Sequence, residues 1–175
     1  MEWREVDARD IDLICRHREE MFREAGSDDD TLRHMAEPFR AWLLPRLIDG
    51  SYFGFVLLDG GVPIAGIGLM SIDWPPHPLH PTQDKRGYVL NVYTEKDYRR
   101  RGLARQMMAL AESAFQKRNI GYAILHATAK GRPLYSDLGW TQTSEMAKSM
   151  MMRFLCNCAL SSKPLSLKPA TPYTS

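Results

Sequence analysis

Four arginines and a glycine crowd residues 99–105, in the order Arg99-Arg100-Arg101-Gly102-Leu103-Ala104-Arg105. An apolar, strand-like run at 88–94 precedes them, and Leu103, Met107, Leu110 and Ala114 follow at helical spacing. A helix that starts here presents backbone N–H groups with no partner inside the helix, together with the positive end of its dipole. Guanidinium donors surround those groups, and the small residues Gly102 and Ala104 let a ligand approach the backbone closely. That chemistry suits a diphosphate. Neither G-x-G-x-x-G nor G-K-[ST] is present, which separates the stretch from dinucleotide and P-loop fingerprints. A basic run taken alone is most often a solvated face. Nucleic-acid binding is disfavoured, since the net charge is only +2 and aromatics do not alternate with the basic residues.

The rest of the chain must position that turn. Its 175 residues, 44% of them hydrophobic, suffice for one domain with a sizeable core. No apolar run approaches the ~20 residues of a membrane span, and the first residues lack signal-peptide order, so neither membrane nor secretion is expected. Cys15, Cys156 and Cys158 form no plausible disulfide framework, which points to a reducing, cytoplasmic setting. His77 and His80 lie in the run "DWPPHPLHPTQDKRG" (73–87), whose four prolines deny them a helical register. No metal site is expected there.

Periodicity predicts a strand at 2–6, closed by Asp7 as a helix cap, then a helix bearing Ile11, Ile14, Cys15, Met21 and Phe22 on one face. A second helix follows over 32–48, broken or kinked at Pro38 and Pro45. Strands at 52–58 and 62–72 flank an Asp-Gly-Gly turn, and the proline-rich run forms a long loop. Further strands are expected at 88–94 and 122–127, a helix from Leu103 to about Lys117, a short helix at 133–138, and a closing hairpin from Trp140 to about Leu155. This order implies one α/β domain over 1–155, a mixed sheet flanked by helices, with a Pro/Ser/Thr/Lys-rich tail at 156–175.

Arg99-Arg100-Arg101-Gly102-Leu103-Ala104 matches [Q/R]-x-x-G-x-[G/A], and in its setting between strand and helix it resembles the acyl-CoA-binding motif of the GNAT superfamily, the Gcn5-related N-acetyltransferases. A second match is Tyr135, Gly139 and Trp140 in "GRPLYSDLGW", which resembles that family's Y-x-x-x-G-[FW]. The resemblance covers about residues 1–155. It implies a mostly antiparallel sheet of about seven strands with about four helices. It further implies that Arg99, Arg100, Arg101, Gly102, Leu103, Ala104 and Arg105 hold the pyrophosphate of acetyl-CoA. Backbone at Val92, Tyr93 and Thr94 would bind the pantetheine arm, and Tyr135 would protonate the departing thiolate. A phenol of pKa near ~10 facing a thiolate of pKa near ~8.5 is suited to that role.

The chain also departs from the family. Many members place a glutamate base on the strand before the anion motif, where "GYVLNVYT" has Asn91 and no carboxylate. Candidates for a base or an acceptor-site role are His126, Glu145 and Asn91, or a held water, although the Asn91 amide is not itself a base. The implied activity is acetyl transfer to a primary amine of a small molecule or peptide, by direct attack in a ternary complex. The alternative is an acyl-CoA-binding module without catalysis. The acceptor groove is expected to be walled by the first two helices and the proline-rich loop. Oligomeric state stays open, a homodimer included.

Overall fold

A computed structural model describes residues 1–148 of the chain. Residues 1–141 make one compact unit and Gln142–Ser175 a second. In the first, five strands lie side by side in chain order: β1 (Glu2–Glu5), β2 (Tyr52–Asp59), β3 (Val62–Asp73), β4 (Lys85–Thr94) and β5 (Ala123–Leu125). The first three pairings are antiparallel, and β4 with β5 is parallel. Four helices complete the unit: α1 (Ile11–Glu24), α2 (Asp29–Asp49), α3 (Leu103–Lys117) and α4 (Arg132–Asp137). The mixed, mostly antiparallel sheet and the helix count match expectation.

The strand count does not. Of the seven strands expected, five form among the described residues, because the closing hairpin is not built over 141–148. That segment offers little to bury: its apolar residues are Met146 and Ala147, and Met146 is 98% exposed. The rest of the expected hairpin and the expected tail at 156–175 lie outside the described residues.

Each sheet face has its own core. On one, Leu103, Met107, Met108, Ala111 and Phe115 of α3 pack on Leu57, Ile64, Leu69 and Val89, with Tyr135, Leu138 and Trp140 at the margin. On the other, Ile11, Ile14 and Cys15 of α1 and Phe39, Leu43 and Leu47 of α2 cover Tyr52. Leu43, Met107 and Met108 are wholly inaccessible, and each such side chain contributes about 1.5–3 kcal/mol by burial.

Prolines 38 and 45 do not break α2, which runs from Asp29 to Asp49. Each costs about 3 kcal/mol in a helix interior. Both lie on the exposed side, where water can satisfy the freed carbonyls, while Leu32, Phe39, Leu43 and Leu47 hold the opposite side down. Asp28 caps the helix by accepting from the Thr31 N–H at 2.8 Å.

The proline-rich loop also departs from expectation. It sits at the Lys85 end of β4, opposite the Thr94 end from which the arginine turn leaves. Its Gln83 side chain donates to the Asn119 carbonyl at 2.5 Å and accepts from the Gly121 N–H at 3.0 Å, tying the loop to the link between α3 and β5. Inside it, buried His80 accepts from Arg86 Nε at 2.8 Å, and Arg86 stacks over Trp74. The loop is thus tied to the base of the sheet, at the end of β4 away from the arginine turn.

Candidate functional site

The site begins where β4 and β5 part. β5 pairs only with Gly87, Tyr88 and Val89, whereas β4 continues to Thr94, so the edge beyond Val89 has no strand beside it among the described residues. A β-bulge marks the same place: Gly66 faces Tyr93 and Gly68 faces Leu90, so three steps of β4 match two of β3. Asn91 is the bulged residue and takes a left-handed φ of +53°. Asparagine tolerates that conformation better than most side chains.

The bulge sorts side chains to the two faces. Leu90 packs into the core under α1 and α2, and Asn91 turns to the same side. Asn91 Nδ2 donates to the Tyr52 hydroxyl at 3.0 Å, and its Oδ1 accepts from Arg18 Nη1 at 2.8 Å. Val92 packs toward α3 instead. Tyr52 reaches Asn91 by crossing over Gly68, where an added Cβ would lie 2.0 Å from the tyrosine oxygen. Glycine is required by that close approach.

Beyond Thr94 the chain makes a 3₁₀ turn at Lys96–Tyr98 and enters the arginine stretch. Arg100 takes a φ of +61° and Gly102 one of +76°, so two left-handed residues bend the backbone ahead of α3. The first helical hydrogen bond of α3 is from the Gln106 N–H to the Gly102 carbonyl at 3.2 Å. The six N–H groups of residues 100–105 have no acceptor among the described residues. An added Cβ at Gly102 would meet nothing within 4 Å, so the turn is open on that side. Unpaired donors in a left-handed bend at a helix N-terminus are the arrangement that receives phosphate oxygens.

The four arginines divide by role. Arg99 Nε donates to the Thr94 carbonyl at 2.9 Å, and its Nη2 pairs with Glu24 of α1 at 2.7 Å. That hydrogen bond raises the Arg99 pKa and lowers that of Glu24. Arg101 donates to the Asp97 carbonyl at 2.8 Å and lies over the Tyr98 ring. Arg105 stands 3.8 Å from Asp137 of α4, both largely exposed. Arg100 is exposed and has no side-chain partner among the described residues. The residues thus fit a pyrophosphate, with Arg100 as the uncommitted cation.

Tyr135 lies half-buried on α4 and packs on the same core as Val92 and Ala104. Its hydroxyl makes no hydrogen bond among the described residues, and burial raises its pKa, so it stays a protonated donor. His126, just past β5, is exposed, and its Nδ1 lies 2.8 Å from the Tyr88 hydroxyl. Glu145 belongs to the second unit, where its N–H donates to Thr143 Oγ1 at 3.4 Å. The structure brings Val92, Ala104 and Tyr135 onto one core and ties Asn91 to Arg18. Arg18, Tyr52 and Tyr88 escaped sequence reading. Arg18 left one sign: it interrupts the apolar stripe of α1 between Cys15 and Phe22.

A five-stranded mixed sheet with a splayed edge, and a donor-rich turn that leads into a helix and suits a phosphate-bearing ligand, define the class of fold. The comparisons give that class its family. The model of the acetyltransferase (GNAT) family matches residues 12–140, and the chain belongs to that family. Among solved structures, a GCN5-related N-acetyltransferase from Ralstonia eutropha JMP134 is 57% identical, with a TM-score of 0.84 over 85% of this chain and 97% of that one. A predicted acetyltransferase from Clostridium acetobutylicum, described with acetyl-CoA, is 25% identical with a TM-score of 0.76, over 85% of this chain and 94% of that one. An aminoglycoside acetyltransferase from an uncultured soil metagenomic sample shares the fold at 18% identity and a TM-score of 0.64, covering 86% of this chain and 98% of the other. The comparison with curated proteins found no match. No described helix is long and apolar enough to cross a membrane.

Proposed function

We propose that the protein transfers an acetyl group from acetyl-CoA to the primary amine of a small molecule or peptide, by direct attack in a ternary complex. The observation that carries this reading is the run of six unaccepted N–H groups at 100–105, beginning where β4 leaves its unpaired edge. Acetyl-CoA, which the Clostridium relative is described with, supplies the activated acetyl group. Residues 100–105 bind its pyrophosphate, with Arg100 adding charge and Arg99 holding the turn against β4. Backbone of Val92, Tyr93 and Thr94 pairs with the pantetheine arm, as a strand would. The Val92 end of that edge faces the thioester carbonyl and stabilises charge developing on its oxygen.

In the transfer a C–N bond forms and the C–S bond breaks. The Tyr135 hydroxyl delivers its proton to the departing thiolate, a role suited to a phenol that burial keeps protonated. The ammonium proton passes to His126: with Nδ1–H donated to the Tyr88 oxygen, Nε2 is left as an acceptor. His126 is preferred to Asn91, whose amide is not basic and whose polar atoms are already bonded.

The test is thiol release from acetyl-CoA across a panel of primary amines. Turnover with at least one amine is expected, and Tyr135→Phe should lower kcat by about 10²-fold with little change in the KM for acetyl-CoA. Unchanged turnover in that variant would remove Tyr135 from the chemistry. Tight coenzyme A binding with no turnover of any amine would favour a binding module.

A further inference from the structure

Arg18 carries a charge that no carboxylate among the described residues meets. It projects from α1 between the Phe22 and Phe39 rings, its guanidinium carbon 4.8 and 4.4 Å from their centroids. No carboxylate pairs with it among the described residues, and residues 149–175 contain no Asp or Glu. Its one hydrogen bond runs from Nη1 to Asn91 Oδ1 at 2.8 Å. Nε is buried with no partner, and Nη2 has none either but is not enclosed. The titratable side chains that act on its charge are Tyr52, Tyr88 and Cys15, all neutral when protonated, and burial lowers its pKa. Stacking on two aromatic rings offsets part of the desolvation but does not satisfy the donors.

The geometry of the unused donors is informative. The Nε–H and one Nη2–H of a guanidinium point the same way along one edge that faces carboxylates well. Nε of Arg18 is enclosed, so the open Nη2 is the donor that an incoming carboxylate oxygen reaches. Asn91 occupies only the opposite nitrogen. The edge also lies in a telling place. Asn91 is the residue before Val92, so Arg18 stands beside the strand end assigned to the thioester, on the face that carries Tyr88 and His126. A carboxylate held there leaves an amine only a few bonds away close to the acetyl group and to His126.

We infer that Arg18 binds the free carboxylate of the acceptor, which is therefore a small amino-acid-like amine with its carboxylate near the nitrogen. This rests on the acetyl-transfer reading above and narrows its acceptor. The aminoglycosides named for one structural neighbour, polycations without a carboxylate, would not suit this anchor.

The experiment compares free amino acids and dipeptides with their C-terminal amides and with the decarboxylated amines, using wild type, Arg18→Met and Arg18→Lys. Wild type should favour free carboxylates by at least about tenfold in kcat/KM, the worth of a charge-assisted hydrogen bond. Arg18→Met should erase the preference while coenzyme A binding persists, and Arg18→Lys should restore it in part. Calorimetric titration of the coenzyme A complex of wild type with N-acetyl amino acids and their amides gives a readout free of turnover and of any variant. Tighter binding of the free acids is expected. Equal binding or turnover of acids and amides in wild type would overturn the inference, as would an Arg18→Met that weakens both alike. In either case thiol release with other amines would leave the transfer reading standing.

Discussion

Arg99 of the arginine turn and Glu24 of α1 are joined at 2.7 Å, across 75 positions of sequence. The same guanidinium holds the Thr94 carbonyl through Nε, so Arg99 fastens the turn to both the strand it leaves and the helix across from it. Its neighbour Arg100 has no such ties. Arg99→Ala should lower stability by about 1 kcal/mol, through loss of a half-exposed pair and a backbone bond. Arg100→Ala should leave the unfolding midpoint unchanged and weaken coenzyme A about tenfold, the size of one charge-assisted contact. Thermal unfolding beside coenzyme A titration separates the two effects, and the reverse pattern would reassign the arginines.

Gly68 lies under the Tyr52 ring, which must cross it to reach Asn91. A Cβ there would stand 2.0 Å from the tyrosine oxygen, on a side chain only 2% exposed. Gly68→Ala should cost about 3 kcal/mol by overpacking. Urea unfolding measures it, and because the ring carbon Cζ would also stand 2.5 Å from the added Cβ, the double variant with Tyr52→Phe should recover only part of the loss.

Asn91 combines a left-handed backbone with two side-chain hydrogen bonds. Asn91→Ala would strain the backbone by about 1 kcal/mol and strip partners from Tyr52 and Arg18, for a total of roughly 3 kcal/mol. Asn91→Gly keeps the backbone relaxed and should cost less, by about the strain alone. Equal losses in the two variants, by chemical denaturation, would show that the bulge carries no strain.

His17 of α1 is 3% exposed, and its pKa is lowered to about 4, first by burial and then by the Arg16 charge, against a weaker pull from Glu95. In the unfolded chain a histidine titrates near ~6.5. Between those values the unfolded state takes up a proton that the folded state refuses. Stability from this group is therefore full above about pH 6.5 and falls as the pH drops toward 4, by roughly 3 kcal/mol in all. His17→Gln should flatten the unfolding free energy across that window relative to wild type, as denaturation at stepped pH values would show.

The sequence by itself determined what depends on neighbours along the chain. Helical spacing around Met107, the Asp-Gly-Gly turn and the apolar run at 88–94 mark α3, the β2–β3 hairpin and most of β4, because hydrophobic period and turn chemistry are local. The anion turn was legible for the same reason, since glycine, arginines and helix start are contiguous. Local signals misled where burial decides: exposed prolines read as a break or kink in a helix that runs on unbroken, and a polar segment after Trp140 read as strand. Only the tertiary structure could separate Arg99 from Arg100, because the carboxylate that claims Arg99 comes from another helix. Only it could show that Asn91, read as a missing base, is the bulged residue to which Tyr52 and Arg18 converge from separate elements. Contacts of that kind are set by how the sheet twists and what covers it, and no spacing within the chain encodes them.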